Sequence, residues 1–289
     1  MKIVVIGGDG QLGVEICRVY TAAGHDVRGL TQEDLEVRHA TRVWQRITGE
    51  LTPDLVINTA AAHDLPECER RPDWAFSVNA NGARNVALAC QARGVPLVHL
   101  STDYVFGGDH DRPYAETDLP RPLSVYGASK LAGEHLVAAE CERHFIVRTA
   151  ALYGPTPCKG KNSPNFVQLM LRLARTQPEV RVVTDEVTTP TYTVALAQQI
   201  KLLAEKSRPG LYHATCQGQC SWYEFAQTIF EETKTHTTLV QTTSKTFQST
   251  VKRPNYSVLD NYNLRNQELD IMPTWQEALK EYLRLPARQ

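Results

Sequence analysis

The stretch Lys2-Ile3-Val4-Val5-Ile6-Gly7-Gly8-Asp9-Gly10-Gln11-Leu12-Gly13 decides the fold. Its apolar, β-branched run lacks alternation, the pattern of a strand buried on both faces. Gly7, Gly10 and Gly13, spaced G-x-x-G-x-x-G, then open a helical stretch from Gln11 to Ala23. Strand, glycine turn and helix in that order form a phosphate cradle. The close approach of backbone to a pyrophosphate leaves no room for Cβ, and the helix start offers free N–H groups to the anion. A dinucleotide is the expected ligand.

The same alternation continues downstream. Strands are expected at Asp26–Leu30, Asp54–Ile57, Val95–Leu100 and Phe145–Val147, and helices at Thr41–Leu51, Pro72–Arg93 and Ser124–Glu142. Pro72 suits a first helical turn and Gly94 falls just past a helix end. Strand then helix, repeated, predicts an α/β fold: a Rossmann-type doubly wound parallel sheet with ligands at the carboxyl ends of its strands.

After Thr149 the pattern loosens. Gly154–Pro164 reads as a loop leading to a helix at about Asn165–Thr176. Val180–Val183 and Gly210–His213 read as strands flanking a helix from about Val194 to Lys206, both able to rejoin the main sheet. Ser221 is a credible N-cap for a helix whose Phe225, Ile229 and Phe230 pack a core, with Trp222 and Tyr223 at its start. The expected division is a dinucleotide-binding domain of residues 1–150 plus about 180–215. A smaller C-terminal α/β substrate-binding lobe takes about 151–179 and 216–289.

Composition narrows the function. Hydrophobic residues at 42% and charged residues at 22% describe a soluble globular chain, not a disordered or fibrous one. Lys+Arg 31 against Asp+Glu 32 gives a net charge of −1 without blocks of like charge, so no nucleic-acid footprint is expected. The seven cysteines, at 17, 68, 90, 141, 158, 216 and 220, form no C-x-x-C pair and fit a reducing, cytoplasmic compartment. The apolar run in Met1–Ile6 is too short for a signal or a membrane span. No metal site is expected: Asp109-His110-Asp111 reads as a solvated turn, and neither H-E-x-x-H nor G-x-S-x-G occurs.

The chemistry concentrates in two segments. Tyr126-Gly127-Ala128-Ser129-Lys130 gives Y-x-x-x-K, which on a helix places phenol and ammonium on nearly one face. A neighbouring ammonium is expected to lower the tyrosine pKa toward the working range, and Lys130 can also hold cofactor ribose hydroxyls. Upstream, Leu100-Ser101-Thr102-Asp103-Tyr104-Val105-Phe106 ends a buried strand in hydroxyl residues, and Ser101 or Thr102 can donate to a substrate carbonyl. Cofactor choice is read at the end of the second strand. Thr31-Gln32 stand where an NAD-selective enzyme carries an acid, favouring NADPH, while Arg28 and Glu33 keep NADH open.

Together these residues resemble the extended short-chain dehydrogenase/reductase superfamily, and within it the dTDP-4-dehydrorhamnose reductase family. The resemblance spans nearly the full length, through Asn58–Ala62, Ser101–Phe106, Tyr126–Glu134, Arg148-Thr149, Thr189-Pro190-Thr191, Gly210–His213 and Arg253-Pro254. It implies hydride transfer to the C4 ketone of a nucleotide-linked 4-keto-6-deoxy sugar, with Tyr126 giving the proton, Thr102 polarising the carbonyl and Lys130 tuning Tyr126. It implies a cofactor wall of Gly7, Gly10, Gln11, Leu12, Gly13, Thr31, Glu36, Val37, Ala60, Ala61, Ala62 and Asn79 together with Tyr126 and Lys130. On the substrate side it implies Thr102, Asp103, Val105, Tyr126, Ala151, Asn165 and Arg253, and the partner is that keto sugar; a homodimer is an open expectation.

Departures from the family pattern lie on the substrate side. Leu65-Pro66-Glu67-Cys68-Glu69 replaces a segment of the type Val-Asp-x-Ala-Glu, and Ala150-Ala151 stand where the family has Ser-Trp, leaving space beside the hexose. A related epimerase or reductase with another substrate, and a non-catalytic NADP-binding regulatory subunit, are the alternatives.

Overall fold

The computed structural model describes residues 1–157, 164–247 and 249–285. The first half runs β1 (Lys2–Ile6), α1 (Gln11–Ala22), β2 (Asp26–Leu30), α2 (Ala40–Trp44), β3 (Leu55–Asn58), α3 (Leu65–Arg70), α4 (Pro72–Phe76), α5 (Ala83–Arg93), β4 (Leu97–Thr102), α6 (Val125–Glu140) and β5 (His144–Thr149). The second half adds β6 (Leu152–Tyr153), α7 (Phe166–Thr176), β7 (Glu179–Val183), β8 (Val187–Thr188), β9 (Thr191–Tyr192), α8 (Thr193–Lys206), β10 (Gly210–His213), β11 (Cys220–Ser221), α9 (Trp222–Glu232), β12 (Thr238–Thr242), α10 (Tyr262–Asn266) and α11 (Trp275–Arg284). The expected helices Thr41–Leu51 and Pro72–Arg93 each contain a π-helical stretch, Gln45–Leu51 and Ser77–Gly82. Leu65–Arg70, read from sequence only as a departure, is a helix capped by the Asp64 carboxylate, with Pro66 in its first turn.

Six strands form one parallel sheet in the order β10-β5-β4-β3-β1-β2. The chain starts at β1, adds β2 on one side and then builds outward on the other, so the loop leaving β1 sits at the switch point where such sheets bind ligands. Successive strand residues point to opposite faces. Ile3, Val5, Ile57, Val98 and Val147 pack with Ile16 and Tyr20 of α1 and Leu196 and Ile200 of α8. Val4, Ile6, Val56, Leu97 and Ile146 pack with Val86, Ala87 and Cys90 of α5 and Val137 of α6. Both faces of the interior strands are covered, which is why β1, β3 and β4 read as apolar runs, whereas the edge strand β2 is largely exposed.

The two candidate returning strands differ. Gly210–His213 joins the main sheet beside β5, whereas Glu179–Val183 does not and pairs in parallel with β12 instead. Its inward side chains Val180 and Val182 face Phe225, Ile229 and the second-lobe core, so burial is satisfied without the main sheet. Serine at 221 caps α9 through a reciprocal capping box with Glu224, and Phe225, Ile229 and Phe230 are buried as expected. Part of the Gly154–Pro164 loop, with Cys158, lies outside the described residues. Among the described helices none is long and apolar enough to cross a membrane.

Candidate active site

The glycine turn is held from both sides. Gly7 N and Gly8 N donate to Leu30 O at the end of β2, and the Thr59 hydroxyl donates to Ile6 O at 2.8 Å. Gly7 adopts φ +78°, open to glycine, and a Cβ on Gly13 would lie 2.1 Å from Gly7 O. The turn is thus packed too tightly for side chains at these positions, and Gly10 caps α1 with no acid in the first turn. That fits a pyrophosphate at the helix start, where N–H groups point at the anion. The buried amide nitrogen Nε2 of Gln11 has no protein partner and lies on the same cavity wall, a free donor for such a ligand.

A cavity of about 450 Å³ joins this turn to the second lobe. Gly10, Gln11, Leu12 and Gly13 line one end, Thr102, Asp103, Tyr126 and Lys130 the middle, and Glu186, Thr188, Trp222 and Ser257 the far end. Strand β4 and helix α6 make the middle. β4 ends at Thr102, and Ser124 caps α6 by accepting from Gly127 N at 3.1 Å, which sets Tyr126 in the first turn with Lys130 one turn further. Helix α3 fixes the entry to α6, since Val125 N donates to Glu69 Oε1 at 2.8 Å.

The electrostatics differ from the sequence expectation at one point. Burial raises the Tyr126 phenol above its ordinary pKa, with the Thr102 hydroxyl opposing and the Asp103 carboxylate adding to the rise. Lys130, one turn along the helix, has its Nζ donating to Leu100 O at 2.6 Å. Tyr126 is therefore a neutral phenol at physiological pH, a proton donor in waiting. Lys130 itself, 2% exposed, is lowered to about 8 by loss of solvent, with Glu134 pulling upward. Thr102 Oγ1 donates to Asp103 Oδ1 at 3.0 Å and accepts from Tyr104 N at 3.2 Å. Its hydrogen points at Asp103 and must rotate to reach a carbonyl in the cavity. Asp103 is buried and raised to about 6 by desolvation, against hydrogen bonds from Ser257 and Thr102.

The other expected residues divide. Ala61, Ala151 and Asn165 reach the cavity wall. Ala151 takes φ +45°, a left-handed backbone that a side chain bearing Cβ rarely adopts. Asn165 caps α7, accepting from Gln168 N and donating to Gly154 O, so its amide is spent on the fold. Thr31, Glu36, Val37, Ala60 and Ala62 stand beyond the cavity wall around the carboxyl ends of β2 and β3. Thr31 binds Asp34, and Glu36 binds Arg38 and Gln32. Two more expected residues do not line the cavity. Asn79 commits its side chain to Ala62 N, Ala62 O and the Ser129 hydroxyl, so it positions the β3 loop against α6. Val105 lies off the cavity, fully buried with Phe106, Tyr114 and Leu259, because the turn after Thr102 rotates it into a separate core. Arg253 does not line the cavity, though its charge opposes the rise that burial gives the Glu186 carboxyl and the Tyr104 phenol, while the adjoining Pro254 lines it.

Sequence reasoning missed most of the far end. Glu186, Thr188 and Ser257 come from segments without a local motif. Trp222, expected to pack the core of the second lobe, does so beside Phe225 and also lines the cavity, its ring 4.5 Å from that of Phe166. The one available signal was the Thr189-Pro190-Thr191 motif just beyond Glu186. Asp109 accepts from the Tyr114 hydroxyl and His110 stacks on its ring. Among the described residues no group of three or more His, Cys, Asp or Glu could hold a metal ion.

A doubly wound sheet with a glycine-turn anion cradle, opening into the same cavity as a Thr, Tyr and Lys set, defines an NAD(P)-dependent oxidoreductase of the extended short-chain dehydrogenase/reductase class. The family model for the RmlD substrate binding domain matches residues 1–287, and the chain belongs to that family. It is 40% identical over 284 residues to the spore coat polysaccharide biosynthesis protein SpsK of Bacillus subtilis, covering 98% of this chain and 96% of the relative. It is 32% identical to the dTDP-4-dehydrorhamnose reductase of Escherichia coli, covering 98% and 97%. A solved dTDP-4-dehydrorhamnose reductase from Bacillus anthracis, in complex with NADP, superposes with a TM-score of 0.92 at 36% identity, covering 98% of both chains.

Proposed function

We propose that the chain reduces the C4 ketone of a dTDP-linked 4-keto-6-deoxy sugar with NADPH in preference to NADH. The carrying observation is that Tyr126, Thr102 and Lys130 share one cavity with the first turn of α1. Names of relatives support the sugar, and the NADP complex of the Bacillus anthracis relative supports the cofactor. At the end of β2 the Thr31 N–H and hydroxyl are bonded to the Asp34 carboxylate, so the preference rests on the relative's cofactor.

The glycine turn holds the pyrophosphate, and Ala60–Ala62 with Thr31, Glu36 and Val37 lie on the adenosine side. The reduced nicotinamide, when bound, supplies the hydride. Tyr126, kept protonated by burial, transfers its proton to the oxygen that gains negative charge, leaving a phenolate that water reprotonates. Thr102, once turned from Asp103, donates to the same oxygen and disperses its charge. Lys130 holds a ribose hydroxyl as an ammonium. Residues of the second lobe, Glu186, Thr188, Trp222 and Ser257, form the sugar-nucleotide end, and Ala151 leaves that end roomy.

Absorbance at 340 nm with dTDP-4-keto-6-deoxy-L-mannose and either NADPH or NADH tests this reading. Oxidation of NADPH with a reduced sugar product is expected, faster than with NADH. Tight NADPH binding with no turnover of any 4-keto sugar would overturn it.

A further inference from the structure

Behind Lys130 lies a buried polar chain that the proton donor does not use. Glu134 follows Lys130 by four residues on α6, so the two share one helix face. Its carboxylate is gripped from β5 by Arg148, Nε to Oε1 at 2.9 Å and Nη2 to Oε2 at 2.6 Å, with side chains 3% and 4% exposed. The Ser101 hydroxyl of β4 also donates to Oε1. Arg148 continues to His213 Nε2 at 3.5 Å and lies over the Phe106 ring at 5.1 Å. His213 Nδ1–H donates to Tyr114 O at 3.0 Å, leaving Nε2 as an acceptor, and burial beside Arg148 keeps that ring neutral.

A buried ammonium is stable only beside a counter-charge, and removing one member of such a set exposes the others to the full cost of desolvation. We propose that Glu134, held by Arg148 and Ser101, is the counter-charge that keeps Lys130 an ammonium, a positioning residue for the reaction. The ribose-binding role of that ammonium rests on the proposed reductase function; the electrostatic role does not. The other groups around Lys130 do not replace Glu134. Strand β4 brings His99, whose ring burial holds neutral, and Asp103 beyond it, bonded to Thr102. Strand β5 brings Arg148. Within α6, Tyr126 is a neutral phenol. The stretch Ser77–Gly82 brings only Asn79, α5 brings Arg84, paired with Glu140, and α3 brings Glu69, bonded to Val125 N.

The division of Glu134 between two cations gives opposite signs for two substitutions. Carbon-13 NMR of full-length protein carrying [ε-13C]lysine, with Lys130→Arg to assign the signal, reads the Lys130 midpoint without any substrate. The expected wild-type midpoint is near 8. Glu134→Gln lowers it by about one pH unit or more. Arg148→Met and the milder Ser101→Ala raise it, because each leaves more of the carboxylate charge to Lys130. A midpoint unmoved in Glu134→Gln, or shifts of one sign in both Glu134→Gln and Ser101→Ala, would overturn the proposal, and Ser101→Ala keeps the test alive if Arg148→Met fails to fold. The basic limb of kcat/KM is expected to follow the midpoint. NMR shifts of opposite sign with no turnover of keto sugar would uphold the electrostatic role and defeat the reductase reading.

Discussion

The two ends of the cavity are built from different materials. The cofactor end is backbone: Gly7 in the left-handed region, Gly13 with its Cα against Gly7 O, and the bare start of α1, all within seven residues of sequence. The substrate end is side chain: Glu186, Thr188, Trp222 and Ser257 reach it from separate segments of the second lobe. A backbone site tolerates substitution poorly, because a Cβ added at Gly13 meets the Gly7 main chain and one at Gly7 meets Thr59. A side-chain site can change its ligand one residue at a time while the fold stays. Differences between this chain and its relatives are accordingly expected at the second end.

Breaking the first end has the largest effect. Gly13→Val places a Cβ where Gly7 O stands, so the turn must open, and NADPH affinity by fluorescence titration is expected to fall more than about 100-fold, with lower thermal stability. Breaking the second end is milder. Trp222→Ala removes an aromatic wall packed on Phe166 and is expected to raise KM for the keto sugar about tenfold while leaving the Kd for NADPH unchanged. A loss of NADPH binding in that variant would erase the distinction between the ends.

The middle of the cavity sharpens the comparison through pH. Because Lys130 is lowered to about 8, kcat/KM is expected to decline as pH rises through that value, when the ammonium is lost. Asp103 gives the smallest effect and an opposite one on stability. Its pKa, raised to about 6 in the fold, means the folded state binds more protons than the unfolded state between the ordinary carboxylate range and pH 6. Stability therefore falls as pH rises across that window, and Asp103→Asn is expected to raise Tm by a few degrees at pH 8 and not at pH 3.5. A Tm unchanged at pH 8 would show that Asp103 carries no such strain.

Legibility followed the same division. Strand, glycine turn and helix are contiguous, and both faces of the sheet's interior are covered, so β1, β3, β4 and β5 read as apolar runs, while the more exposed edge strand β2 falls at Asp26–Leu30 as expected. Tyr126 and Lys130 were legible because a helix fixes their spacing. Val180–Val183 was not, since a strand's sequence records its burial and not its partner, and β12 served as well as β5. Val105 was expected at the cavity and Trp222 in the core alone, and local apolarity did not show that the turn after Thr102 buries Val105 or that Trp222 reaches the cavity as well as the core. The rise in the Tyr126 pKa was hidden too, because helical spacing places Lys130 nearby but does not say how completely the phenol is buried.

The most direct test of the whole account is a single turnover at 340 nm of NADPH bound to wild type and to Tyr126→Phe, mixed with saturating dTDP-4-keto-6-deoxy-L-mannose. The account predicts that the variant binds both ligands as wild type does and that the rate of NADPH oxidation falls about 100-fold or more. Oxidation at the wild-type rate would contradict it and remove Tyr126 as the proton donor.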